Sequence, residues 1–167
     1  MRLDINFLWY LVTCIVFFIL LMMNITRHTL REAIVCFLVA QVVTWFFSTI
    51  FVELYWETCP VRLFPNATRT DFIGDYFTTP SICTLFYFQY IKHQKLRRIL
   101  DIALFALADA IMIVLKNAYT DLRHYVPWAI PLHLLVFIPL LPCSVWFTRW
   151  FFKQSYPYGG IKDGTRN

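Results

Sequence analysis

The chain has 167 residues, of which 59% are hydrophobic, 19% aromatic and only 15% charged. Soluble domains carry about 25% charged residues, and a domain this short leaves much of its surface in water, so a soluble globule is excluded and lipid is the fitting solvent. The net charge of +5 is no nucleic-acid footprint, because the Lys and Arg residues sit at the ends of apolar runs and in short connections, where membrane proteins carry topogenic charge.

Five apolar runs follow one another, at about 6–23, 33–55, 72–91, 99–119 and 128–152. Each is long enough to cross a hydrocarbon layer of about 30 Å. The pattern predicts an all-α integral membrane bundle of about five transmembrane helices, a single domain over 1–152, with a flexible tail over 153–167. The first run is longer than the apolar part of a signal peptide and lacks a small-x-small site before Asn24, so it is expected to stay as a helix.

Gln41 lies near mid-depth of the second run. The connection after it, Trp56–Thr70, contains Pro60, Pro65, Leu63 and Phe64, and is expected to pack back onto the bundle or dip into the interface. It also holds a sequon, Asn66-Ala67-Thr68, and Cys59, the one cysteine outside the apolar runs.

The third run opens with Asp75 about one turn in, followed by Thr78, Thr79 and Pro80. Proline frees the carbonyl of Tyr76, which would leave a polar backbone site beside Asp75 and Thr79. The next connection, from Lys92 to Arg98, is the densest basic stretch of the chain and reads as a positive-inside signal.

Asp109 lies near the middle of the fourth run, where an ionised side chain costs at least ~2.5 kcal/mol. Its neighbours Ala103, Ala106, Ala108 and Ala110 permit close helix approach, so a packing role competes with a functional one. Gln41 is placed to close the inner end against Asp109. Lys116, near the outer end of the same run, is expected to snorkel to the headgroups, and for Asp75 the same reading competes with a place in a polar site. His133 lies five residues past Trp128 in the fifth run, which Pro131, Pro139 and Pro142 punctuate. Similar depths make an Asp75–Lys116–His133 cluster geometrically feasible. Asp109, Asp75, His133, Gln41, Thr79 and Lys116 are therefore the candidates for lining a polar cavity between the third, fourth and fifth helices.

Counting Lys and Arg on alternate sides gives five on the side of the N-terminus and ten on the other. The richer side is the cytoplasmic one, which places the N-terminus outside and the C-terminus in the cytoplasm. Trp9, Tyr10, Tyr55, Trp56, Tyr119, Trp128, Trp146 and Trp150 fall near the same interfaces as an aromatic belt.

No CxxC, HExxH, GxSxG, Walker A or GxGxxG pattern occurs, so no catalytic, cofactor or metal site is expected. The outer loop with Phe64-Pro65-Asn66, the mid-helix Pro80, the buried acid Asp109 and the Trp128 that opens the last helix resemble a group of short, uncharacterised multi-pass membrane proteins of spore-forming Gram-positive bacteria. That group often has His after the Asn and Glu as the buried acid, where this chain has Ala67 and Asp109. The resemblance implies a multi-pass protein of a bacterial cytoplasmic membrane and no activity.

The leading functional expectation is a non-enzymatic membrane component: a small transporter, permease subunit or ion-conducting oligomer that uses Asp109. A structural or assembly protein is the alternative, and an intramembrane enzyme the third reading. Its partners would be the lipid bilayer and, since five helices cannot form two equal inverted repeats, a second copy or another membrane subunit. Nucleic acid is not expected as a partner.

Overall fold

A computed structural model describes residues 2–64, 66–92 and 95–155. Five α-helices appear among them: α1 (Arg2–Asn24), α2 (Leu30–Glu53), α3 (Thr79–Lys92), α4 (Lys95–Tyr119) and α5 (Ala129–Ser155). A π-helical turn, Gly74–Thr78, leads directly into α3. Two short strands, β1 (Glu57–Thr58) and β2 (His124–Tyr125), pair antiparallel.

Three helical stretches, Ile5–Asn24, Leu30–Glu53 and Ala129–Lys153, are long and apolar enough to cross a membrane. Their outward faces are apolar, with Phe7, Phe18, Met23, Val42, Phe46, Leu135 and Trp146 all exposed. Water would not tolerate such a surface; acyl chains match it. α3 and α4 differ for physical reasons. α3 is short and rich in Thr, Ser and Tyr because it packs against all four other helices and meets protein on every side. α4 is amphipathic with its apolar stripe outward. Leu96, Leu100, Leu104, Leu107, Ile111 and Val114 are exposed at three- and four-residue spacing, while Asp101, Asp109, Ile113 and Lys116 are buried.

The core falls into two clusters. One joins Ala33, Cys36 and Ala40 of α2 to Phe86 and Tyr87 of α3 and Leu141 of α5. The other gathers Phe51, Ile113, Tyr125 and Ala129 nearer the strands. Small residues on α2 let α3 approach closely, and the Cys36 thiol lies 3.8 Å from the carbonyl of Cys83.

Helix ends depart from expectation by a few residues, as fraying ends usually do. α1 starts at Arg2 instead of Asn6, α4 at Lys95 instead of Ile99, and α5 continues to Ser155. The rest of the expected flexible tail, 156–167, lies outside the described residues, as do His93, Gln94 and Pro65.

Proline acts as expected on α3, but through a widened turn. Pro80 has no N–H for the carbonyl of Tyr76, and the backbone just upstream takes the π form, with the N–H of Thr79 reaching back five residues to the carbonyl of Gly74. Thr78, Ser81 and Thr84 hydroxyls bond the carbonyls of Ile73, Phe77 and Pro80 at 3.2, 2.6 and 2.9 Å. Polar side chains thus replace solvent around the broken ladder.

The end of α2 aims the chain back at the bundle. Tyr55 takes a left-handed backbone, φ 59°, and the N–H of Trp56 bonds the carbonyl of Phe51 at 2.9 Å. This reversal at a helix C-terminus usually employs glycine; here a tyrosine accepts the strain. It turns Glu57 inward, where β1 pairs with β2 and the Trp56 carbonyl accepts the N–H of Val126 at 3.1 Å. The loop from Trp56 to Thr70 therefore packs back onto the bundle, with Glu57, Cys59 and Thr70 buried. Phe64 lies edge-on to Phe72, ring centroids 5.1 Å apart.

Candidate functional site: a buried ion network at one end of the bundle

Beneath the paired loops, polar side chains from every helix, the π turn and both loops converge, α3 contributing only Thr79 at its start. Arg123, from the β2 loop, stands at the centre and is 5% exposed. Its Nε faces Glu57 Oε1 at 2.8 Å, its Nη2 bonds Asp75 Oδ1 and approaches Ser48 Oγ at 3.4 Å, and its Nη1 donates to the Tyr125 hydroxyl at 3.2 Å. Asp71 lies 3.9 Å from Nε and receives Lys116 Nζ at 2.9 Å and the Tyr10 hydroxyl at 3.0 Å. The backbone N–H of Gly74 completes its shell at 3.2 Å.

From Arg123 the network runs toward the middle of the bundle. The Tyr125 hydroxyl lies 3.1 Å from His133 Nδ1, and His133 Nε2 lies 3.1 Å from Asp109 Oδ2. The imidazole is walled by aromatic rings: Phe51 and Tyr125 edge-on, Phe137 stacked. Arg123, Asp75, Glu57, Tyr125 and His133 border a cavity of about 30 Å³ that Thr44, Ser48 and Thr79 also line. That is room for one or two waters. Into this setting the second oxygen of Asp75, Oδ2, brings no hydrogen-bond partner.

Burial sets the charge states of the loop residues. It alone would raise Asp71, yet Lys116 and Arg123, aided by the Lys116 and Gly74 hydrogen bonds, outweigh it and hold the carboxyl at about 2. Glu57 goes the other way: burial pushes its carboxyl above the usual range and Arg123 offsets this only in part, with Asp75 adding repulsion. Burial would loosen the Arg123 proton, but Asp75 and Glu57 hold it more firmly than in water. Burial also raises the Cys59 thiol, which donates to Glu57 Oε1 at 3.4 Å.

The structure gathers most of the expected candidates, in different pairs. Asp75 and Lys116 do not snorkel; they are 0% and 6% exposed. Each instead meets an opposite charge inside the protein, which repays desolvation better than stretching a buried stem to the surface. Asp75 takes Arg123, Lys116 takes Asp71 and His133 takes Asp109, so the expected Asp75–Lys116–His133 contact is replaced by a network that includes all three. Thr79 lines the cavity as expected. Gln41 is half-buried and makes no hydrogen bond among the described residues, so it does not close the cavity against Asp109; α2 packs chiefly on α3 and α5. Ala103 and Ala108 face outward, so they do not provide the close packing expected around Asp109.

Asp71, Glu57, Arg123, Tyr125 and Tyr10 escaped sequence reading. All but Tyr10 lie in or at the edge of connections, where charge reads as solvated. One signal was present: Asp71 and Asp75 stand four apart at a helix start, one above the other on a single face. No group of three or more His, Cys, Asp and Glu side chains among the described residues is arranged to hold a metal ion. No protein-family model, curated protein or solved structure matches this chain.

Proposed function

We propose that this chain is a five-span membrane protein, N-terminus outside and C-terminus in the cytoplasm, that binds and releases a proton through the Asp109–His133 pair as a small transport component. The membrane placement is supported by the three long apolar helices and by the outward apolar stripe of α4. A bacterial cytoplasmic membrane fits the excess of Lys and Arg on the C-terminal side.

The observation that carries the proton reading is a charge imbalance. Among the described residues, four buried carboxylates, Glu57, Asp71, Asp75 and Asp109, share one network with two permanent cations, Lys116 and Arg123. Each uncompensated ion in a low-dielectric interior costs several kcal/mol, so the network favours taking up protons. His133 joins Asp109 to the rest through both ring nitrogens, which is the geometry of a relay. With its proton on Nε2, the ring donates to Asp109 and accepts the Tyr125 hydroxyl at Nδ1. A second proton makes Nδ1 a donor, and the Tyr125 hydroxyl must then turn its hydrogen toward the cavity. The two states differ by one proton and one hydroxyl rotation, which is the minimum a relay needs.

Proton flux into proteoliposomes, followed with an entrapped pH dye, tests this. Asp109→Asn keeps shape and hydrogen bonding but cannot ionise, so it should remove the flux while leaving the thermal transition within a few degrees of the parent. His133→Gln should do the same. Flux unchanged in both variants, or absent from the parent chain, would overturn the reading.

A structural role is the second reading, and the Asp71 and Arg123 pairs favour it: they tie α1, α4, the π turn and both loops into one end plate. Under it, Asp109→Asn changes nothing measurable, because interhelical hydrogen bonds in membranes contribute only ~0.6 kcal/mol on average.

A further inference from the structure

At the end of the bundle opposite the ion network, α5 presents a stripe of Trp146, Arg149, Trp150 and Lys153, spaced three, four and seven residues from the first. The spacing puts all four on one helix face. Between this face and Tyr90 at the end of α3 lies an open groove of about 540 Å³. Its deeper wall is apolar, formed by Pro142 and Val145; its mouth is basic.

Several features set this groove apart from a scattered positive-inside charge. Trp146 and Trp150 stack with ring centroids 6.4 Å apart and are 66% and 42% exposed, so a large flat indole surface is left uncovered beside the cations. Arg149 and Lys153 make no ion pair among the described residues. Glu32, which lines the adjoining groove together with Arg149, accepts the Tyr87 hydroxyl at 2.6 Å. Tyr90 itself carries a third cation: Arg98 lies 4.4 Å over its ring and donates from Nε to its carbonyl at 3.1 Å. Cations and exposed indoles thus alternate along the outer part of one groove, and an apolar floor continues it, so a phosphate and an acyl chain each meet a matching surface.

We propose that this groove binds one anionic phospholipid, its headgroup phosphate between Arg149 and Lys153, its glycerol region against Trp146 and Trp150, and an acyl chain along Val145 and Pro142. A zwitterionic lipid offers the same phosphate, but its own ammonium or choline competes for it, so the site selects net negative charge. The binding stands apart from the proton reading and survives or fails without it.

Native mass spectrometry of the full chain released from mixed micelles reads the bound lipid directly. With phosphatidylglycerol and phosphatidylcholine at equal mole fraction, one phosphatidylglycerol should be retained per chain in preference to phosphatidylcholine. A basic residue near a lipid surface contributes about 1 kcal/mol, roughly fivefold, so Arg149→Gln and Lys153→Gln should each weaken retention about fivefold. Both side chains are exposed and make no ion pair among the described residues, so neither change threatens the fold, and Arg149→Lys should restore most of the retention. Trp146→Ala should weaken retention of both lipids alike. Equal retention of the two lipids by the parent chain, or full selectivity in the Arg149→Gln/Lys153→Gln double variant, would overturn the proposal.

Discussion

Gly74 shows how tightly the ion network is built. A Cβ at this position would stand 2.5 Å from Asp71 Oδ2 and 3.2 Å from Lys116 Nζ, so no larger residue fits beside the pair. Gly74→Ala should push the two charges apart and destabilise the protein by about 3 kcal/mol, the scale of breaking a buried ion pair. Thermal unfolding in detergent measures it; an unchanged transition would show that Asp71 can swing aside freely. Asp71 also links stability to pH. Its carboxyl titrates at about 2 in the folded protein against about 3.9 in an unfolded chain. The folded value is the lower one, so the contribution, about 2–3 kcal/mol, is fully present above pH ~4 and fades as the pH falls toward 2. Asp71→Asn should flatten stability across that acid window, and a variant as acid-sensitive as the parent would assign the effect elsewhere. At this scale the sequence was a poor guide. Arg123 and Glu57 look like solvated loop charges until the two loops pair and carry them inward.

Among the elements, α4 poses the sharpest question. It carries six charged residues, Lys95, Arg97, Arg98, Asp101, Asp109 and Lys116, and so stands apart from the three helices that are apolar almost throughout. The structure shows where Asp101, Asp109 and Lys116 go: into the protein, leaving leucines at positions 96, 100, 104 and 107 outside. If α4 faces lipid, Leu107→Lys at mid-helix should cost ~2.5–3.5 kcal/mol, whereas Leu96→Lys near the end should cost little because the chain snorkels. Equal effects at the two positions, read from unfolding or expression in membranes, would place that stripe in water or against a partner. α3 illustrates the converse. Its interruption at Pro80 was legible, but not that the missing Pro80 N–H would widen the turn over Gly74–Thr78 into the π form. That choice depends on what can bond the displaced backbone groups, and those partners come from elsewhere in the fold.

For the whole molecule, orientation is the testable claim. With the proposed orientation, a single cysteine at the exposed Ala67 should react with an impermeant maleimide on intact cells. One at Arg97 should react only after permeabilisation. The five native thiols, Cys14, Cys36, Cys59, Cys83 and Cys143, are free and are best removed first. Reaction at Arg97 from outside would reverse the topology and move the ion network to the cytoplasmic face. The sequence by itself determined that the chain belongs in lipid, that it forms about five helices, and that Asp109, His133, Asp75 and Lys116 are its unusual residues. These follow from composition, run length and the cost of burying charge, all of which are local quantities. Only the tertiary structure decided the pairings. Whether a buried charge is neutralised, and by which partner, depends on how helices rotate against each other and on where loops such as Trp56–Thr70 fold back. Hydropathy carries neither, because a charged residue reads the same whether it meets water or an opposite charge.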